Sequence, residues 1–215
     1  MKRITRYFAI IFFLIPALSV SAEIHAASAD REALDAGITD IHNGDFDRAI
    51  ADLSKAIELN NKLASAYNNR GLAYYKKGAL DKAITDFNKA MDLDPADASI
   101  CSNRGAAEAM AGKLDKAIID FSRAIELDKR TPEAYCNRGA IYNKIGSYEK
   151  GIADFTKAIE IDPKYANAYN SRAIAYFNTE DFDKSWSDID QARALGHEIN
   201  PGFIEALKER SGRER

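Results

Sequence analysis

Histidine, cysteine and tryptophan are scarce in this chain. Its 215 residues include three histidines, two cysteines and one tryptophan. His25, His42 and His197 lie far apart, so neither a histidine metal site nor a nucleophile–histidine–acid arrangement has its parts at hand. No enzymatic activity and no cofactor are expected. Positive charge is not in excess. Lys and Arg number 30 against 33 Asp and Glu, for a net charge of −3. That argues against non-specific nucleic-acid binding, which needs a basic surface. No apolar run reaches the ~20 residues that a membrane-spanning helix needs. The longest, Tyr7 to Val20, also contains Pro16. No cysteine follows it, so a lipoprotein anchor is not indicated. Glycine spacing does not supply a phosphate loop either. The segment from Gly71 to Gly78 has helical periodicity and lacks that loop's spacing.

The N-terminus is legible. Lys2, Arg3 and Arg6 precede the apolar run, and Val20-Ser21-Ala22 ends it with small residues. This is the pattern of a secretory signal peptide over residues 1–22, followed by a linker, 23–29. Cleavage after Ala26 or Ala29 is an alternative, as is an uncleaved anchor. The chain is expected to be exported, to the periplasm of a Gram-negative bacterium, with no stable membrane insertion after cleavage. Removal of residues 1–22 takes away three basic residues and no acidic one, leaving a more acidic chain.

What is abundant is repetition. Gly37, Gly71, Gly105 and Gly139 are spaced by 34 residues, and so are Gly44, Gly78, Gly112 and Gly146. Five units fit this step: 30–63, 64–97, 98–131, 132–165 and 166–199. Position 4 of the unit holds Ala33, Tyr67, Cys101, Tyr135 and Tyr169. Position 24 holds Leu53, Phe87, Phe121, Phe155 and Ile189. Position 27 is always alanine, from Ala56 to Ala192. Positions 4, 8 and 11 share one stripe of a first helix, A. Positions 20, 24 and 27 share one stripe of a second, B. The small residues at 8, 20 and 27 let the two helices approach. Glycine at position 15 ends helix A. Asp94-Pro95 and Asp162-Pro163 end helix B, since proline cannot continue it. Asn200-Pro201 starts a final helix over 201–211, with Phe203, Ile204 and Leu207 on one face, which caps the stack within 200–215.

The Tyr-x-x-Arg-Gly-x-x-Tyr motif, followed by Ala-x-x-x-Phe and alanine, resembles the tetratricopeptide repeat (TPR). The resemblance covers the five units. It implies an all-α fold, an α-α superhelix (TPR solenoid) of five helical hairpins plus a C-terminal capping helix. It also implies a protein or peptide partner, with the oligomeric state left open. One departure recurs. Where the family usually has leucine at position 7, this chain has Arg70, Arg104, Arg138 and Arg172.

An arginine on the packed stripe needs an anion, because an unpaired buried charge is very costly. Position 23 supplies Asp52, Asp86, Asp120, Asp154 and Asp188. Repeat 1 has Ala36 in place of the arginine. Pairing between successive repeats, Asp52–Arg70, Asp86–Arg104, Asp120–Arg138 and Asp154–Arg172, leaves only the last aspartate over, so that scheme is expected. The pairs are read as structural rather than ligand-binding. Cys101 and Cys136 sit at positions 4 and 5 of neighbouring A helices. Packed helices stand about 8–10 Å apart, beyond the ~7 Å of bridged Cα atoms. Two separate thiols are expected, although export raises the chance of a disulfide.

The opposite stripe of helix A, which in the resembled family lines the concave surface, is the expected binding groove. Its centre carries Asn69, Asn103 and Asn137, with Asn68 and Asn170 beside them. A carboxamide donates and accepts at once, which suits the backbone of an extended peptide. Tyr75, Met110 and Phe177 could hold apolar side chains, and Lys76 and Lys144 add positive charge. The two-carboxylate clamp of chaperone-binding TPR domains is not matched, because Leu34 and Ile38 stand where its first Lys and Asn would be. The leading expectation is an envelope adaptor that binds an extended segment. A holdase-like chaperone and a structural subunit using its convex face or cap are the alternatives.

Overall fold

The computed structural model describes residues 29–213. The expected signal segment, 1–22, lies outside the described residues, as does the linker up to residue 28. Residue 29 is already helical. Eleven helices and no strand are found among the described residues. They pair as α1 (29–43) with α2 (Phe46–Leu59), α3 (Ala64–Lys76) with α4 (Leu80–Leu93), and α5 (Ala98–Met110) with α6 (Leu114–Leu127). Then come α7 (Pro132–Lys144) with α8 (Tyr148–Ile161), α9 (Ala166–Asn178) with α10 (Phe182–Ala194), and a single α11 (Pro201–Ser211). The odd-numbered helices α1 to α9 are the A helices and the even-numbered ones the B helices. The described residues form two compact units that divide between Pro95 and Ala96. The first holds α1–α4 and the second α5–α11.

Each hairpin turns on a left-handed residue. Gly44, Gly78, Gly112 and Gly146 have φ of 82°, 76°, 77° and 77°. A side chain there would meet no atom within 4 Å, so the backbone conformation, not space, calls for glycine. The amide just after the glycine donates back five residues: Ala79 to the Tyr74 carbonyl and Ser147 to that of Tyr142 (2.9 and 2.8 Å). The fifth hairpin breaks the rule. Its left-handed residue is Glu180, at φ 62°, which costs roughly 1–2 kcal/mol. The Glu180 carboxylate accepts a hydrogen bond from Arg210 Nη2 at 2.7 Å, which ties the turn to α11.

The glycines inside the A helices have a different task. A methyl group on Gly71 would lie 2.7 Å from the Phe87 ring, one on Gly139 2.9 Å from Phe155, and one on Gly37 2.5 Å from Leu53. Position 8 therefore receives the large side chain of position 24 in the same hairpin. Phe87, Phe121 and Phe155 are sealed from solvent, each worth about 1.5–3 kcal/mol of burial.

That close approach also decides the ion pairs, and it corrects the expectation. Arg70 binds Asp86, Arg104 binds Asp120, Arg138 binds Asp154, and Arg172 binds Asp188, all within one repeat. None of the pairs Asp52–Arg70, Asp86–Arg104, Asp120–Arg138 or Asp154–Arg172 forms. Position 7 precedes the glycine and position 23 precedes the side chain lodged on it. The contact that seats 24 on 8 thus brings 23 to 7. The bonds are two-pronged: Nε and Nη2 of Arg138 donate to the two Asp154 oxygens, both at 2.8 Å. Among the described residues Asp52 has no ion pair, because Ala36 leaves its place empty. Successive repeats are linked by the remaining nitrogen. Arg70 Nη1 donates to Ser54, Arg138 Nη1 to Ser122 and Arg172 Nη1 to Thr156, at 3.0, 2.9 and 2.9 Å. These hydroxyls stand at position 25 of the preceding repeat.

In the second unit α11 closes the end. Asn200 caps it by accepting from the Gly202 amide, and Pro201 opens its first turn. Ile204 and Leu207 join Ala173, Trp186 and Ile189 in one apolar cluster. Both cysteines are free and buried. Burial, above all, pushes the Cys136 thiol up to about 11, against hydrogen bonds with Tyr165 and Ser171 that lower it.

Candidate functional site

Within the second unit the A helices touch one another. α7 contacts α5 on one side and α9 on the other, while α6 and α8, or α8 and α10, make no comparable contact. The A helices therefore crowd the inner side of a curve, and their unpacked stripes form one face. Three rows cross it at equivalent positions: Asn103, Asn137 and Ser171; Ala106, Ala140 and Ile174; Met110, Lys144 and Asn178.

The expected site residues divide on this frame. Asn137 and Lys144 on α7 and Met110 on α5 are exposed, and Asn103 and Asn170 are half-buried. The second unit brings these five onto its A helices. The Asn137 side chain makes no hydrogen bond with another described residue, so its carboxamide is available. Asn68, Asn69, Tyr75 and Lys76 all lie on α3 in the first unit, Lys76 exposed and the others half-buried. Asn69 Nδ2 donates to the Ser65 carbonyl one turn back, at 2.8 Å, which occupies part of its donor capacity.

Phe177 is a correction. It is half-buried and already engaged. Its ring packs against Phe203 of the cap (centroids 5.4 Å apart) and Phe182 of the next helix (6.1 Å). The Arg210 guanidinium lies 4.7 Å above it. On α9 the groove stripe becomes the seat of α11.

Asn143 was missed. Its Nδ2 donates to the Ser171 carbonyl of α9 at 3.1 Å, and its Oδ1 is buried without a partner. It packs where Gly151 leaves room, since a methyl group there would lie 2.3 Å from that oxygen. The glycine at position 20, where repeats 1 to 3 have alanine, was the available signal. Among the described residues no cluster of His, Cys, Asp or Glu could hold a metal ion. No helix among them is long and apolar enough to cross a membrane.

A TPR-repeat family model matches residues 40–78 and 107–146, and tetratricopeptide-repeat models match 64–97, 132–165 and 155–187. The chain belongs to the tetratricopeptide-repeat family. Solved structures agree. A crystal structure of MamA is 28% identical, with a TM-score of 0.68 over 74% of this chain and 94% of that one. YrrB, described as a TPR protein with an unusual peptide-binding site, is 23% identical, with a TM-score of 0.65 over 83% and 90% of the two chains. PilF of Pseudomonas aeruginosa is 17% identical with a TM-score of 0.78, over 86% and 85%. At these identities the last two show the fold alone. No curated protein matches the sequence significantly. TPR membership makes the chain a protein-interaction scaffold in kind.

Proposed function

We propose that this TPR chain is a non-enzymatic adaptor whose A-helix face takes an extended segment of a partner protein. The observation that carries this reading is Asn137. Its carboxamide is exposed and unengaged in the middle of α7, beside Ala140 and with A helices on both sides. An amide there can donate to and accept from a peptide backbone, and the small Ala106 and Ala140 let that backbone come close. The peptide-binding site named for YrrB, a neighbour in fold, agrees with it. The cap is a weaker candidate for assembly, because Phe203, its most prominent apolar side chain, is engaged by Phe177. The adaptor is further proposed to work in the cell envelope, on the strength of Lys2, Arg3, Arg6 and the apolar run after them. N-terminal sequencing of the protein from fractionated cells checks this. A periplasmic chain that begins at Glu23 is expected, and a full-length cytosolic one refutes the placement.

The docking reading is tested by a photoreactive residue at Met110 or, separately, at Ile119, which is 66% exposed on α6. Crosslinking in cells from Met110 to one discrete partner, lost with Asn137→Ala, is expected. Crosslinking from Ile119 alone would instead favour assembly through the B-helix side. A smear of many clients from Met110 would favour the holdase.

A further inference from the structure

The A-helix face of the second unit is almost uncharged, although charged residues make up 29% of the chain. α5, α7 and α9 contain six charged residues. Arg104, Arg138 and Arg172 are bound to aspartates of the B helices. Glu108 is buried, with 5% exposure. Only Glu133, in the first turn of α7, and Lys144, in its last, are left exposed. The middle of the face has none. The B helices are the reverse. Asp115, Lys116, Arg123 and Glu126 are exposed on α6, and Glu149, Lys150, Lys157 and Glu160 on α8.

The uncharged face also exposes large apolar side chains. Of the five large hydrophobic side chains exposed in the described residues, Met110 and Ile174 lie on A helices of this unit, Ile145 caps the C-terminus of α7 in the turn, and Ile119 lies on α6. Met110 is 59% exposed at the end of α5, and Ile174 is 37% exposed on α9, in the row of Ala106 and Ala140. A charged ligand would lose hydration on the middle of this face and meet no opposite charge there, since Glu133 and Lys144 stand at the two ends of α7. An uncharged backbone loses less and meets the Asn137 amide.

We propose that the occupant of this face is an extended, uncharged segment of a partner protein, rich in small and aliphatic side chains. Its backbone runs over Asn137 and Ala140, and its aliphatic groups lie on Met110 and Ile174. This rests on the docking reading above and narrows it. Acidic tails and basic tracts are excluded as the preferred ligands, and the recognition is insensitive to salt, because screening acts only on charge.

The test uses the full chain and three sets of synthetic twelve-residue peptides of equal length, followed by fluorescence anisotropy. One set is neutral (Ser, Ala, Asn, Leu, Val), one has acidic residues at alternate positions, and one has basic residues there. The neutral set is expected to bind at least about tenfold more tightly than either charged set. Its Kd should change less than about twofold between low and high salt. Ala140→Arg, at an exposed site that leaves packing intact, should weaken neutral binding about tenfold or more and shift preference to the acidic set. Tighter, salt-sensitive binding of a charged set by the unaltered chain would overturn the inference and leave the docking reading standing. Binding of no set, with Ala140→Arg also leaving the Met110 crosslink unchanged, would overturn both.

Discussion

The hairpins α5–α6 and α7–α8 share a backbone plan but not its chemistry. In the second, Tyr135 and Tyr142 flank Arg138, whose guanidinium lies 5.9 and 6.0 Å from their ring centres, and Lys150 covers Tyr142 at 5.5 Å. In the first, those positions are Cys101 and Glu108. Arg104 has lost both rings and gained a second carboxylate. The hydrogen bonds it donates to Asp120 do most to hold its proton, against burial, and Glu108 adds the least. Glu108 Oε2 is buried without a hydrogen-bond partner, a disfavoured state for a carboxylate. The lesson is that these two hairpins keep the Arg–Asp pair while what surrounds it varies.

The largest effect that would break this comparison is loss of the aspartate. Asp154→Ala leaves the half-buried Arg138 guanidinium without its anion, and should cost about 3 kcal/mol in urea unfolding. Asp120→Ala should cost about 1 kcal/mol less, because Glu108 remains beside Arg104. Equal losses would show that Glu108 does not compensate. Next is the glycine at position 8. Gly139→Ala pushes a methyl group to 2.9 Å from the Phe155 ring, whereas in Gly105→Ala the nearest atoms are 3.2–3.3 Å away. The first should lose about 1–3 kcal/mol. The second should stay within about 1 kcal/mol of the parent, since its smaller crowding is offset by the better helix propensity of alanine.

The thiols give a pH test. The Cys136 value is raised from 9.0 to about 11, mainly by burial. Below pH 9 the thiol is neutral in both states and its contribution is complete. Between pH 9 and 11 the unfolded chain ionises first, so stability falls as pH rises. A loss of about 1–2 kcal/mol is expected across that window, and it should be smaller in Cys136→Ala. Thermal melts at pH 8.5 and 10.5 measure the difference. The smallest effect is a gain. Glu108→Tyr restores a ring next to Arg104 and removes the unpartnered oxygen, which should raise the urea midpoint by the equivalent of about 1 kcal/mol. A fall would mean that the space around residue 108 cannot hold a ring.

The hairpins, their turns and the cap were legible in the sequence because each rests on local chemistry. The left-handed turns need glycine, position 8 needs a small residue, and Asn200-Pro201 announces the start of α11. The partners of the arginines were not legible. Both pairing schemes satisfy the same residues, and only the seating of position 24 on position 8 decides between them. Phe177 was misread for a related reason. Its position is a groove position in any repeat with a neighbour beyond it, and here the neighbour is a single helix that covers it. Glu180 gave no signal at all, since the arginine that engages it lies 30 residues away.

The Nη1 bonds of Arg70, Arg138 and Arg172 carry one more consequence. Each guanidinium satisfies its own hairpin with two nitrogens and offers the third to whatever hydroxyl the previous hairpin presents. Ser54, Ser122 and Thr156 are interchangeable in that role. Excision of residues 132–165 would hand Arg172 the Ser122 hydroxyl in place of Thr156, with its own Asp188 undisturbed. A hairpin flanked in this way can thus be removed or doubled without a mismatched contact at that seam, so these bonds do not fix the number of hairpins.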